Sequence, residues 1–115
     1  MSAVVRQALA DAANTVEGLH VTPYFSQGSL RTGGGMVRKD RVDYPNPFGG
    51  VVRWQVVVVL PSDLASAEKY LDETVPQVVT AVREHLVVTD VTPAQLAIDA
   101  GTVPVALIHG HREED

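Results

Sequence analysis

The chain has 115 residues, no cysteine, 45% hydrophobic and 20% charged residues, and a formal net charge of −5. That length suits a single domain with one modest core, and the lack of cysteine excludes both disulfides and zinc–thiolate sites. The acidic balance argues against general nucleic-acid binding, no apolar run approaches the roughly 20 residues of a membrane span, and the N-terminus lacks a signal peptide's cationic start and apolar core, so a cytoplasmic origin is expected.

Ser2 is a suitable N-cap, and Val5, Leu9, Ala12, Ala13 and Val16 recur at helical spacing, which predicts an amphipathic helix over residues 3–17 that Gly18 ends. Leu19, Val21 and Tyr24 then line one face of a strand, with His20 and Thr22 on the other. Pro23 restricts this strand to a short or edge position. From Ser26 to Gly50 the periodicity dissolves. Gly33, Gly34 and Gly35 are entropically costly in a regular element, so they are expected to form a flexible loop or the tip of a long hairpin whose outgoing arm is Met36 to Tyr44. Pro45 and Pro47 set a turn, and Gly49 and Gly50 lead out of it.

Val51 to Leu60 is the strongest strand signal, with four consecutive valines at residues 56 to 59. Arg53 and Gln55 face opposite to Val52, Trp54 and Val56, whereas beyond Val56 both faces are apolar. That end is expected to be covered on both sides, by a helix and by a second layer such as another subunit. Ser62 or Asp63 caps the next helix, where Leu64, Ala67, Tyr70, Leu71, Val75, Val78, Val79, Val82 and Leu86 keep a 3.6-residue period. Pro76 removes one intrahelical bond and predicts a kink or break near Thr74 to Pro76. Val87 to Val91 and Gln95 to Ile98 read as strand interrupted by Thr92 and Pro93; Asp99 to Gly101 is a turn. A last strand from Val103 ends at His109 or His111, before a charged tail. The fold class is therefore α+β: a mainly antiparallel sheet of four to five strands, two helices on one face, and a long glycine-rich loop or hairpin within residues 26–50.

Chemistry-bearing patterns are sparse. The triglycine lacks the Lys-Ser/Thr pair of a phosphate loop, and no serine sits in a nucleophile elbow. Asp72, Glu73 and Glu84 occupy polar helix positions. His109 and His111 share one side of a strand, where His20 or Asp90 could approach them, but no complete ligand set is evident, and solvated histidines are the simpler reading. No catalytic residue, metal site or cofactor is assigned. The charge is uneven: Arg31, Arg38, Lys39, Arg41 and Arg53 face only Asp40 and Asp43 between residues 26 and 53. This basic stretch on a glycine hinge is the candidate contact site for a partner, comprising Arg31, Gly33, Gly34, Gly35, Arg38, Lys39 and Arg41.

The block from Arg41 to Leu96, followed by Thr102 to Glu113, resembles the tail terminator proteins of long, non-contractile-tailed phages. The similar features are a Trp-Gln start to an apolar strand (Trp54, Gln55), a Leu-Pro exit (Leu60, Pro61), an acidic helix with an internal proline (Pro76), and a closing two-strand hairpin. The resemblance implies a structural protein of the virion neck, made in the host cytoplasm. Six copies would form a ring on the last tail-tube ring, stop tube polymerisation and present a surface to the head–tail connector. The implied partners are further copies, the tube protein and the connector, with DNA only passing through the channel. In that picture the basic stretch grips the tube or a neighbour, or lines the channel. Head-side neck proteins have similar sizes and are the alternative, followed by a small-molecule or metal-binding domain.

Overall fold

The structure, a computed structural model, describes residues 2–26, 28, 30–46, 49–98 and 101–114. Its elements run α1 (Ser2–Ala13), β1 (His20–Thr22), β2 (Gly34–Asn46), β3 (Gly49–Val59), α2 (Leu64–Glu73), α3 (Val75–Val82), β4 (Val87–Ile98) and β5 (Gly101–Glu114). One five-stranded sheet has the order β1-β2-β3-β5-β4, antiparallel except for the parallel pairing of β1 with β2. The architecture is thus α+β with a mixed sheet. Among the described residues, no helix is long and apolar enough to cross a membrane.

β3 sits at the centre because its valines fit a pleated surface buried on both sides. Val52, Trp54, Val56 and Val58 join Val37, Ala106 and Ile108 under the helices, against Leu9, Ala13, Ala67, Val75, Val78 and Val82. Val57 and Val59 point the other way and cluster with Met36 and Val105. The members of this second cluster all come from strands. Both valines are already buried within the chain, at 0% and 3% exposure, by neighbours on β2 and β5. Within the chain, the layer over them is therefore the sheet's own side chains. Ala94, Leu96, Val103 and Leu107 around them are only partly buried. We call this side of the sheet the open face.

Several local expectations need correction. The α1 helix ends at Ala13, short of the predicted residue 17, because Asn14 turns its amide to the backbone of β1: Val21 N–H donates to Asn14 Oδ1 at 2.7 Å and Asn14 Nδ2 donates to Val21 O at 2.9 Å. The side chain thereby acts as a neighbouring strand on the sheet's first edge. Gly33 to Gly35 are neither a flexible loop nor a hairpin tip. Gly34 and Gly35 are buried residues of β2 that pair with His20 and Val21, and only Gly33 has positive φ, at 84°. The hairpin in this region is β2–β3, whose closing pair is Asn46 with Gly49; Pro45 lies within β2, while Pro47 and Phe48 fall outside the described residues. Leu64, counted with the apolar period, is 76% exposed.

Asp63 is the cap of α2, accepting from Ser66 N–H at 2.9 Å, and the helix breaks at Thr74 with Pro76 in the first turn of α3, where its missing N–H is not needed. Thr92 and Pro93 do not interrupt β4. Pro93 pairs with Ala106 in an edge strand, half of whose N–H groups point away from the sheet. The expected turn at Asp99 and Ala100 lies outside the described residues, flanked by the pair Ile98 and Gly101. β5 runs past His111 to Glu114, because β3 offers partners as far as Gly50. The charged end is therefore strand.

Candidate functional site

The basic stretch is divided by the pleat of β2. Arg31 is exposed in the turn before Gly33, where its carbonyl accepts from Gly34 N–H at 2.7 Å. Lys39 lies on the helical side, its ammonium 5.5 Å from the centre of the Trp54 ring. Arg6 of α1 approaches the same ring at 5.4 Å and the Tyr24 ring at 4.6 Å, and donates to Val37 O at 2.8 Å and Pro23 O at 3.2 Å. Trp54 is fully buried, yet its indole N–H has no hydrogen-bond partner among the described residues. An unmet donor costs about 1–3 kcal/mol. Burying the ring's area returns roughly 4–6 kcal/mol, so burial wins and the indole serves the core.

Arg38 and Arg41, three apart, would face opposite sides of a regular strand. A bulge at Asp40 changes this: Lys39 pairs with Trp54 but Arg41 pairs with Arg53, which puts Arg38, Arg41 and Asp43 on the open face together. Asp43 accepts from Arg41 at 3.0 Å and from Arg53 at 2.9 Å. The Arg53 hydrogen bond, followed by the nearby charge of Arg41, holds the Asp43 carboxyl below its ordinary range. These ion pairs are solvent-exposed, so they fix side-chain directions more than they stabilise the fold.

Beside them a polar row crosses four strands. Arg38 on β2 donates to Gln55 Oε1 on β3 through Nε at 3.0 Å and through its terminal nitrogen at 2.5 Å. Gln55 Nε2 lies 3.1 Å from His109 Nε2 on β5, and His109 Nδ1 lies 2.6 Å from Asp90 Oδ1 on β4. A second bulge, at Thr89, lets its hydroxyl reach Asp90 Oδ2 at 3.2 Å and His109 O at 3.3 Å, while Thr92 donates to Asp90 Oδ1 at 3.2 Å. The His109 hydrogen bond is the main reason that the Asp90 carboxyl titrates below its usual range. Gln55 is only 6% exposed, between the fully buried Trp54 and Val56. Leaving it unpaired would cost about 1–3 kcal/mol; Arg38 and His109 remove that cost.

The row borders an open groove of about 260 Å³ lined by Asp40, Arg41, Arg53, Thr89, Asp90 and His109. No group of three or more His, Asp or Glu is placed to hold a metal ion among the described residues. No known family model matches the sequence, and no curated protein matches it.

Of the residues expected to make contacts, the structure brings Arg38 and Arg41 to one surface. It leaves Arg31 at a turn and Lys39 on the opposite side. Gly33, Gly34 and Gly35 are internal: a Cβ on Gly33 would lie 2.4 Å from Gly18 O, and one on Gly35 would lie 1.8 Å from Val57 O. The lack of a side chain lets Gly33 pack against the backbone of Gly18 and Gly35 against that of β3, and the hinge role falls away. Gln55 was not singled out as a site residue. A lone amide just before the apolar half of the central strand was the signal for it.

Proposed function

We propose that this chain is a structural phage tail protein, a terminator that caps the head-proximal end of the tail tube as a ring, stops tube polymerisation and supplies the head-joining surface. The resemblance of residues 41–96 and 102–113 to tail terminators supports this reading. The observation that carries it is the character of the open face: a sheet surface with partly exposed Ala94, Leu96, Val103 and Leu107 beside a polar half whose side chains are engaged with one another. A binding surface of this kind works through area and shape. The function proposed is accordingly non-catalytic and without a cofactor.

In this reading copies of the chain contact one another, the tube protein and the connector, and DNA passes through the channel without being held. Arg38 and Arg41 belong to the assembling surface, with Arg31 at its margin. The test adds purified chain to polymerising tail-tube protein and follows tube length by electron microscopy. Arrest of growth with the chain at one tube end is expected. Unchanged growth overturns the reading, and capture of the chain by head connectors with unchanged tube growth assigns it to a head-side neck joint.

A further inference from the structure

The row Arg38–Gln55–His109–Asp90 has only one consistent arrangement of protons. A guanidinium only donates, so the Gln55 atom facing Arg38 must be Oε1. The Gln55 amide nitrogen, which also only donates, then faces His109 Nε2. That ring nitrogen must therefore accept, and the imidazole proton must sit on Nδ1, where Asp90 accepts it. Every bond points the same way across the sheet, from β2 to β4.

A second proton on His109 would set an N–H of the ring against the amide N–H of Gln55. Turning the amide over restores an acceptor for the imidazolium but presents the NH₂ group to Arg38, which has no lone pair to offer. The hydrogen bond to Asp90 is kept through the change, because Nδ1 carries a proton in both states. The disturbance thus passes toward β2 alone. Arg38 is half-buried on a flexible stem and free to swing outward. The groups around His109 bias it further: Arg53 on the neighbouring β3 and Arg41 beyond it on β2 repel added charge, Asp40 and Asp90 attract it, and His111 lies two residues along β5.

We propose that this row is a proton-operated latch, in which protonation of His109 inverts the Gln55 amide and releases Arg38 from the sheet. One proton is taken up from solvent and none is given back. The open face then gains the imidazolium charge and a liberated guanidinium beside Arg41 and Arg53, which favours an acidic partner surface at lower pH. The latch is a property of the single chain and holds whether or not the chain caps a tail.

The test is a side-chain nitrogen NMR titration of the intact protein from about pH 8 to about pH 5, the interval in which imidazoles ordinarily change charge. At the upper end His109 should carry its proton on Nδ1. On acidification the Arg38 Nε resonance should move toward its solvent-exposed position with the same midpoint as the His109 ring. In Gln55→Glu the carboxylate accepts from Arg38 in both states, and from His109 Nε2 once the ring takes up its second proton, so Arg38 should stay in place while His109 titrates. A high-pH tautomer protonated on Nε2, an Arg38 resonance that stays fixed in the native protein, or one that still follows His109 in Gln55→Glu overturns the latch.

Discussion

Gly35 has no room for a side chain. A Cβ there would stand 1.8 Å from the carbonyl oxygen of Val57, which belongs to the central strand and cannot withdraw. Gly35→Ala is expected to destabilise the fold by at least about 3 kcal/mol, read as a large fall in the urea midpoint. Gly18 has positive φ, 85°, but open space around it, so Gly18→Ala should cost only about 1 kcal/mol, the conformational penalty alone. At the same scale, Asp43, Asp63 and Asp90 are each held below the ordinary value of 3.8, chiefly by hydrogen bonds from Arg53, from Ser66 N–H and from His109. Their folded-state values lie below the unfolded ones, so the stability they contribute is complete above the unfolded value and is lost as pH falls through the folded one. The urea midpoint should therefore decline as pH drops below about 4, and Asp90→Asn should make that decline shallower. A midpoint that rose on acidification would contradict the hydrogen bonding assigned to these carboxylates.

At the scale of elements, β4 is an edge strand whose only proline, Pro93, sits at its middle and pairs with Ala106. A proline there withholds one N–H from any strand that might add to the edge. Pro93→Val should leave the far-ultraviolet spectrum unchanged while raising concentration-dependent association, measured by sedimentation velocity; unaltered sedimentation would deny the proline that role. The elements themselves were largely legible. Valine density marked β3, the 3.6-residue period marked α2 and α3, and Pro76 marked the break between them. What was hidden depended on register. The entropy cost of Gly34 and Gly35 suggested a loop, but the deciding term at Gly35 was the approach of β3's backbone, which no local pattern reveals. Likewise, the alternation of β2 alone would separate Arg38 from Arg41, and only the bulge at Asp40 reunites them. His109 and Asp90 were recognisable as possible neighbours, since both fall in one closing hairpin. Their connection through Gln55 to Arg38 required the order β2-β3-β5-β4, which is not the order of the chain.

At the scale of the whole molecule, the sheet is asymmetric: three helices cover one face, and the other is finished by its own side chains. Leu96 and Val103 are paired across β4 and β5 and remain partly exposed on the open face. Replacing both by glutamate should preserve cooperative unfolding while abolishing the proposed attachment to tube ends, because a charge at an apolar contact cannot be desolvated cheaply. Attachment at full strength would remove the open face from the assembly. The most direct measurement of the central claim is electron microscopy of the particles made when the gene for this chain is disrupted in the genome that carries it. Tail termination predicts headless tubes of overlong, uncontrolled length; tails of normal length joined to heads in ordinary infectious particles would contradict it.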